Sequence, residues 1–398
     1  MALIFLDGGD APSVLIEGGL VREVRMGGVV PAGARRLDCV GNVVRPGEVD
    51  AHTHLYSGLA PLGLPAPTPP PRNFVEILER VWWRLDRALD ADSLASSARL
   101  YLAEALLAGT TSIVDHHESP AFLEGSLDVL GDAAQSIGCR LVTCYGATDR
   151  NGGEAEGEAG LAECHRFART NRRPLVKGVV GLHASFTVSN ATVMRAGELA
   201  RELAVPVHVH VAEDQADVDD ARRRGAAGPL ERLKALGALP RGSILAHGVC
   251  LTREQVRSAD EDGLWLVHNP RSNAGNQVGT AHSLVASQHV GLGTDGYPAD
   301  MRAERAAAIV PIDSEASRAL AGEVWGLRFS LEPNSAADLV VWRSADDAER
   351  PGAVPRHVVV GGEVVVEEGR LLTGDIDAIR SEASRQAQRL FSRMRELS

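Results

Sequence analysis

The sequence predicts an α/β protein built as a (β/α)8 TIM barrel, to which both chain ends add a small composite β-sandwich domain. Between about residues 49 and 325, short apolar runs alternate with longer helical patterns, as in βα units that build a parallel sheet. The eight candidate strands are GEVDAH, TSIVDH, RLVTCY, LVKGVVGL, VPVHVHV, SILAH, LWLVH and HVGLGT. Eight parallel strands in about 275 residues match the size of a TIM barrel, and a doubly wound sheet is the structural alternative.

Polar side chains favour the barrel because they collect at or just beyond the C-terminal ends of these strands. They are His52, His54, His116, His117, His183, His210, His247, His268 and Asp295. Active sites of TIM barrels lie on this face. The proline-rich segment LGLPAPTPPPRNF after the first strand is stiff and irregular, and we expect it to cover the site.

The two chain ends are rich in short β-branched runs. SVLIEGGLVREVRM near the start contains a Gly-Gly turn signal, and RHVVVGGEVVVEEGRLL near the end contains Gly361-Gly362, which suits a two-residue hairpin. We therefore predict a β-domain formed by residues 1–48 and 329–374, a barrel over 49–328, and an amphipathic helix over 375–398.

Composition narrows the class of partner. The formal charge of -12 opposes broad attraction to nucleic acid or to an anionic membrane, so a small-molecule substrate is expected. The five cysteines form no CxxC pair, which indicates reduced thiols. With neither a basic leader nor an apolar run of about 18 residues, the sequence predicts a cytoplasmic protein.

Three short motifs suggest a metal site. His52 and His54 in VDAHTHL are two apart on a strand, so both side chains can face the barrel mouth. VPVHVHVAED offers His208 and His210 on one strand face, and spacing alone leaves open which of them binds. VGLGTDG delivers Asp295 at a strand end, although an Asp before Gly is more often a simple turn residue.

The conjunction of these motifs carries more weight than any one of them. Three histidines and a carboxylate at the ends of different strands suit a first-row divalent ion with an open position for water. Glu213 follows His210 by three residues, which lets its carboxylate reach back toward a ligand of that site.

The motifs resemble those of the amidohydrolase superfamily. PGEVDAHTHL, HVHVAED, ILAHGVCL, HNPRSNAGNQVG and LGTDG are similar to its successive motifs, in particular those of the cytosine deaminase, chlorohydrolase and guanine deaminase branch. DHHESP, GLHASFTVS and GTDGYPADM resemble the SsnA-type aminohydrolases of that branch. The resemblance runs from about Arg45 to Tyr297 and resumes at SLEPNSAADLVV, so it covers most of the chain.

This resemblance implies one divalent metal held by His52, His54, His210 and Asp295. It selects His210 over His208 because the family pattern is His-x-x-Glu. Zinc is favoured, and iron or manganese would also fit the ligand set. A homodimer is the assembly that the family suggests.

The implied activity is that of a metal-dependent aminohydrolase. Hydroxide generated at the metal would attack a C–N bond of an aminated heterocycle or amidine and release ammonia. Glu213 would move the proton, Asp295 would orient the nucleophile, and His247 would hydrogen-bond the water or the developing charge. Hydrolytic dechlorination or N-dealkylation is the first alternative, and a non-catalytic binding relative is the second.

Several further side chains are candidates for the substrate pocket. His183 is expected to contact the substrate or to support the site, and His116, His117 and Glu118 either line the pocket or form a polar strand-end turn. We expect His268, Asn269 and Asn273 to brace the loop after the seventh strand, while Arg271 could meet an anionic group. Trp82 and Trp83, on a helical pattern, are expected to be core or cover rather than a stacking platform.

The chain departs from the family pattern at two places. Only about 30 residues separate Met301 from SLEPNSAADLVV, which predicts a shortened last barrel helix. No clear lysine is placed to bridge two metals: Lys177 lies six residues before the end of the fourth strand, where we interpret it as a barrel-bottom or solvent-facing residue.

Overall fold

The computed structural model describes residues 3–397. The first strands of this range form a small sheet. Strands β1 (Leu3–Asp7), β2 (Pro12–Glu17), β3 (Leu20–Met26) and β4 (Arg35–Asp38) lie in the order β3-β2-β1-β4. β1 is antiparallel to β2 and parallel to β4. Strand β5 (Val43–Pro46) leaves this sheet and pairs with a strand from the far end of the chain.

Ten strands build the barrel, and every pair is parallel. They are β6 (Glu48–Thr53), β7 (Thr110–Asp115), β8 (Arg140–Thr143), β9 (Gly146–Ala147), β10 (Val176–Gly178), β11 (Val180–Ala184), β12 (Val207–Val211), β13 (Ile244–His247), β14 (Trp265–His268) and β15 (Val290–Leu292). All eight predicted strands are present. The fourth is divided at Val179, so that β10 pairs with β8 while β11 pairs with β9 and β12.

Backbone contacts join the last strand segment to the first. The amides of Thr294 and Asp295 both donate to the carbonyl of His52, at 2.9 and 3.0 Å. Gly293 allows this approach, because a Cβ there would lie 2.6 Å from the same carbonyl oxygen. The predicted TIM barrel is confirmed, and the doubly wound alternative is wrong.

Helices surround the barrel. They are α1 (Phe74–Ile77), α2 (Trp83–Ala88), α3 (Ala91–Leu107), α4 (Ser126–Ile137), α5 (Glu154–Thr170), α6 (Asn190–Leu203), α7 (Gln215–Arg223), α8 (Pro229–Ala235), α9 (Arg253–Glu261), α10 (Pro270–Gly275), α11 (Met301–Ala307) and α12 (Ser314–Trp325). A π-helical turn, Leu78–Trp82, joins α1 to α2. α12 packs over the seam between β15 and β6, and Ser317 Oγ accepts a hydrogen bond from Leu292 N at 2.9 Å.

The C-terminal segment completes the β-domain. It comprises β16 (Leu339–Trp342), α13 (Ala345–Glu349), β17 (His357–Val360), β18 (Glu363–Glu367), β19 (Arg370–Leu371) and α14 (Ile376–Glu396). β16 pairs with β5, and Gly361-Gly362 turns β17 into β18 with φ of 56° and 81°, as a two-residue hairpin of the I′ type requires.

The two sheets of the β-domain share an apolar core. Ile4, Leu6, Val14 and Ile16 from the first sheet pack with Leu339, Val341 and Val359 from the second. The composite sandwich is thus present. The division of the chain at residues 48, 328 and 374 stays a prediction.

Lys177 lies away from the histidines of the barrel mouth. Its Nζ donates to the carbonyls of Val324 and Trp325, at 3.0 and 3.1 Å, where α12 ends. A cation at this position stabilises the carbonyl end of a helix. The lysine therefore serves the packing of α12, in agreement with its interpretation as a barrel-bottom residue.

The amphipathic pattern of the C-terminus forms α14, whose apolar face packs against α2 and α3. Buried on it are Ile379, Ala383, Leu390, Phe391 and Met394. No helix within residues 3–397 is long and apolar enough to cross a membrane.

Candidate metal centre and active site

Four predicted ligands meet at one point of the barrel mouth. His52 and His54 come from β6, His210 from β12, and Asp295 follows β15. One donor atom of each lies within 4.8 Å of all the others. Asp295 Oδ1 is 3.0 Å from His52 Nε2 and 2.9 Å from His54 Nε2. The alternation of side chains along β6 explains why two residues of the same strand reach the same point.

The outer ring nitrogens of two ligands fix their tautomers. His54 Nδ1 lies 2.6 Å from the carbonyl of His116, and His210 Nδ1 lies 2.6 Å from the carbonyl of His183. Because a carbonyl only accepts, each Nδ1 carries the proton, and a neutral ring then turns the Nε2 lone pair inward.

The inward nitrogens fit a bound cation. His54 Nε2 and His210 Nε2 face each other at 3.2 Å, beside the Asp295 carboxylate. Two lone pairs at that distance repel unless a positive charge lies between them. Imidazole and carboxylate are ligands of first-row divalent metals, so the donor set fits the metal that the sequence predicts.

His208 lies beneath this group and supports His52. Its Nε2 is 2.8 Å from His52 Nδ1, while its own Nδ1 lies 3.9 Å from Cys144 Sγ. The His52 Nδ1–H can therefore donate to His208, which leaves His52 Nε2 free to bind. The structure thus brings His210 to the four-residue group and places His208 behind His52, the choice that spacing alone left open.

Asp295 is held in an unusual backbone conformation. Its φ is 51°, in the left-handed region, and His247 nearby has φ of 75°. Such strained positions concentrate at functional sites. Burial raises the pKa of Asp295, but the charge of His247 nearby outweighs burial and holds the pKa well below its usual range.

Glu213 and His247 border the metal group. His247 Nε2 lies 3.5 Å from Glu213 Oε2 and 3.7 Å from Asp295 Oδ1, and its Nδ1 is 2.9 Å from Asn273 Oδ1. Burial and the Asp295 charge raise the pKa of Glu213 to about 7, although His247 opposes this. A carboxyl group with such a pKa can both accept and donate a proton near neutral pH.

His247 is suited to meet negative charge. Burial lowers its pKa, but the carboxylates of Glu213 and Asp295 outweigh burial and raise the pKa to about 9. Its Nε2 has no hydrogen-bond partner among residues 3–397, so this nitrogen is available to a substrate or a water molecule.

A cavity opens over this group. It is lined by His54, Tyr56, Ser57, Phe74, Leu78, Trp82, Trp83, Glu118, His183, Ala184, Phe186, His210, Glu213, Asn276 and Asp295. The segment that follows β6 supplies one whole wall, including Trp82 and Trp83, which therefore cover the site. The wall is largely aromatic, which suits a flat ligand.

The predicted substrate residues divide into two groups. His183 lines the cavity, with Nδ1 2.8 Å from Thr187 Oγ1. His116 and His117 are buried outside the cavity lining, with Nε2 of His116 2.9 Å from the Leu182 carbonyl and Nε2 of His117 2.7 Å from Ser119 Oγ. Their assignment as substrate ligands stays a prediction that this placement does not favour.

Arg271 and the loop after β14 make contacts that hold this loop in place. Arg271 pairs with Glu304, and Asn273 approaches both His247 and His268. These contacts agree with a bracing role for the loop. Arg271 does not line the cavity, so the structure gives no support to its contact with an anionic substrate.

Sequence reasoning missed the pair of Asp86 and Arg150. These buried side chains form an ion pair next to the cavity, and the guanidinium carbon lies 4.9 Å from the Trp83 ring. The two residues are 64 positions apart and belong to no recognisable motif. Asn276 belongs to the motif HNPRSNAGNQVG, and its Nδ2 donates to Glu213 Oε1 at 3.4 Å, a contact that the motif alone does not predict.

Three histidines and an aspartate converge at the mouth of this parallel barrel, with a carboxyl and an imidazole beside them. This arrangement is typical of metal-dependent hydrolases. Residues 43–321 match the family model described as "Amidohydrolase family". The chain belongs to the amidohydrolase family, and the resemblance inferred from its motifs is confirmed.

Known proteins similar to this chain include several deaminases. A 5-methylthioadenosine/S-adenosylhomocysteine deaminase of Desulforudis audaxviator is 27% identical, with 95% of this chain and 94% of the relative covered. An 8-oxoguanine deaminase of Pseudomonas aeruginosa is 29% identical, with 74% and 70% covered. The crystal structure of a Xanthomonas campestris adenosine deaminase with bound zinc has a TM-score of 0.81 at 24% identity, covering 100% of this chain and 99% of that one; this likeness establishes the fold.

Family and site together give the enzyme class. The chain is a hydrolase that acts on carbon–nitrogen bonds, of the type that deaminates cyclic amidines. The expected aminohydrolase is thus confirmed at the level of reaction type.

Proposed function

We propose that this chain deaminates a purine-like aminated heterocycle, with water as co-substrate and ammonia as product. The observation that carries the proposal is the convergence of three imidazole nitrogens and the Asp295 carboxylate at one point, with Glu213 and His247 at its border. The similar deaminases named above act on adenosine-derived compounds and on 8-oxoguanine, which supports a purine-like ring.

We assign the metal to His52, His54, His210 and Asp295, and we propose zinc. A divalent cation held there supplies Lewis acidity, which lowers the pKa of a water molecule toward neutrality. Three nitrogen donors and one carboxylate oxygen suit zinc, and the bound zinc of the Xanthomonas campestris enzyme supports this choice.

Glu213 is the proton carrier in this proposal. It lines the cavity and is the group there whose pKa of about 7 suits acid–base work at neutral pH. It takes a proton from the attacking water and delivers it to the departing nitrogen. Asn276 orients its carboxyl through the contact at 3.4 Å.

His247 and Asp295 act on the charge and the orientation of the reacting groups. Asp295 uses Oδ1 toward the histidines, and Ser272 Oγ donates to its Oδ2, so the carboxylate is fixed from both sides. The free Nε2 of His247 donates to the oxygen that attacks or to the charge that develops on the ring.

The aromatic wall binds the ring. Tyr56, Phe74, Trp82 and Trp83 present flat apolar surfaces to the cavity, and His183 adds a polar atom at its inner end. A planar heterocycle inserted between these side chains is held with its reacting carbon toward the metal group.

Ammonia release tests the proposal. Zinc-loaded wild type is assayed against aminopurines, pterins, aminopyrimidines and amidines, with chloride release from chlorinated triazines measured in parallel. We expect ammonia from at least one purine-like compound, and its loss in His210→Ala but not in His165→Ala, a change of a surface histidine. Release of chloride without ammonia would identify a dechlorinase instead of a deaminase. If the enzyme released no ammonia and no chloride, the proposal would be rejected.

A homodimer and a cytoplasmic location stay predictions. Light scattering of the purified protein measures the first: a mass near 84 kDa, about twice the 42.2 kDa of the chain, would support a homodimer. Fractionation of cells that express the protein measures the second.

A further inference from the structure

The cavity is lined by a third carboxylate, beside Glu213 and Asp295, that the proposed mechanism does not use. Glu118 follows β7, is 2% exposed, and lines the cavity together with His183. It is not a member of either cluster of potential metal ligands. Burial raises the pKa of Glu118, while the positive charge of Arg150 nearby lowers it and favours the carboxylate form.

No hydrogen bond from residues 3–397 satisfies Glu118 Oε1. This atom is 3.1 Å from His116 Nδ1, but His116 directs its Nε2 at the Leu182 carbonyl, 2.9 Å away, which requires the proton on Nε2. Arg150 pairs with Asp86 instead. A buried charge with unmade hydrogen bonds is costly, which marks Glu118 as a group that a ligand completes.

His183 presents a second acceptor beside Glu118. Thr187 Oγ1 donates to the Ala184 carbonyl at 3.1 Å, so it accepts from His183 Nδ1–H at 2.8 Å. A neutral ring therefore directs the lone pair of Nε2 toward Glu118 Oε2, 3.8 Å away. Two adjacent acceptors cannot satisfy each other, and both call for donors from a third partner.

The backbone makes room for the Glu118 carboxylate. A Cβ at Gly146 would lie 2.6 Å from Glu118 Oε1 and 2.4 Å from His116 Cε1. Glycine at this position is therefore needed for both side chains to adopt their places. The backbone packing of β9 against the end of β7 therefore provides the space that the Glu118 carboxylate occupies.

We infer that Glu118 is the specificity-determining residue of this site, and that its carboxylate accepts hydrogen bonds from N–H or amino groups on the part of the ring away from the reacting C–N bond. The inference rests on the proposed function. It narrows the substrate class to heterocycles that carry hydrogen-bond donors on one edge in addition to the amino group that leaves. Cyclic guanidines and amino-substituted purines are such compounds. A ring whose edge offers only acceptors would leave both Glu118 and His183 unpaired.

Binding of two isosteric probes tests this inference without any turnover. 2-Aminoimidazole is a cyclic guanidine with adjacent donors, and 2-methylimidazole replaces its amino group by a methyl group of similar size. Affinities for both are measured by calorimetry on the zinc-loaded protein. Both imidazole rings can also bind the metal, and this contribution is similar for the two probes. The ratio of the two affinities therefore measures the contribution of the 2-amino group.

We expect wild type to prefer 2-aminoimidazole by about 10- to 100-fold, as a charge-assisted hydrogen bond allows. Glu118→Gln should reduce the preference to about 3-fold or less with unchanged zinc content, and the exposed Glu124→Gln should keep the wild-type ratio. Glu118→Ala serves as the second variant if the glutamine protein does not fold.

Equal affinities in wild type, or a preference that survives in both Glu118 variants, would overturn the inference and reveal a structural carboxylate. This failure is distinguishable from that of the proposed function, because ammonia release from the heterocycle panel does not depend on the probe ratio. If the protein prefers 2-aminoimidazole but releases no ammonia from any heterocycle, the role of Glu118 stands and the proposed deaminase activity is rejected.

Discussion

Asp50 receives two hydrogen bonds from Thr294: the backbone amide donates to Oδ1 at 3.0 Å and Oγ1 donates to Oδ2 at 2.7 Å. Tyr101 OH adds a third, at 3.0 Å to Oδ2. Asp50 belongs to β6, two residues before the proposed ligand His52, and Thr294 directly precedes the proposed ligand Asp295. One buried carboxylate thus ties together the two segments of the barrel that carry three of the four proposed metal ligands.

Asp50→Ala should loosen the metal site from below. The substitution removes one acceptor of the Thr294 amide and one of its hydroxyl, which costs about 1–3 kcal/mol of stability; the amide keeps the His52 carbonyl and the hydroxyl keeps Thr53 Oγ1. Misplacement of Asp295 should also weaken zinc binding by about 10- to 100-fold. Chelator competition and urea unfolding measure the two effects. Asp10→Ala, at an exposed turn, is the control, and equal zinc affinity in both variants would contradict the role of Asp50.

The variant His208→Ala tests whether His208 only supports His52 or binds the metal itself. Because His208 contacts the outer nitrogen of His52, its loss should lower zinc affinity by about 10- to 100-fold without abolishing binding. His210→Ala should remove binding altogether. Titration of both variants with zinc against a fluorescent chelator checks this order, and a reversed order would show that the two histidines exchange roles.

Glu213→Gln should separate metal binding from catalysis. The amide keeps the shape of the side chain but cannot carry the proton, so turnover should fall by about 10²- to 10⁴-fold. Zinc content should stay at the wild-type value because Glu213 is outside the four-residue group. The exposed Glu254→Gln should behave as wild type. A Glu213→Gln protein with full turnover would place the proton transfer elsewhere.

Asp217 should make stability depend on pH. Burial raises its pKa to about 7, Asp220 adds to this, and the hydrogen bond from Ala212 N opposes it. Because the folded state holds this proton more tightly than the unfolded state, the contribution of Asp217 to stability is complete below about pH 4 and is lost as the pH rises toward 7.

The stability advantage of Asp217→Asn over wild type should therefore grow between pH 5 and pH 8, by up to about 1.4 kcal/mol for each pH unit between 5 and the folded pKa of about 7. Urea unfolding of both proteins at the two pH values measures the difference. The exposed Asp219→Asn should show no such gain. A pH-independent difference between Asp217→Asn and wild type would contradict the burial effect.

The barrel and the ligand set follow from local sequence features. Each strand is a short apolar run that ends in a polar residue, and the ends of parallel strands meet on one face, so His52, His210 and Asp295 could be placed together without coordinates. The choice between His208 and His210 needed either the family pattern or the structure. Both side chains share a strand face, and only depth along the strand distinguishes them.

Features that depend on packing across the mouth were harder to predict. His116 and His117 are neighbours that point to opposite sides of the chain, and neither reaches the cavity, whereas Glu118 directly after them does. The ion pair of Asp86 and Arg150 joins α2 to the loop after β9, a contact between segments with no shared motif. Loop geometry beyond a strand end has no periodicity from which it can be inferred.

Metal content tests the central claim most directly. Purified wild type, His210→Ala and His165→Ala are reconstituted with zinc, desalted and analysed by inductively coupled plasma mass spectrometry. Our account predicts about one zinc per chain in wild type and His165→Ala, and almost none in His210→Ala. Absence of zinc from reconstituted wild type, or equal zinc in all three proteins, would contradict the site formed by His52, His54, His210 and Asp295.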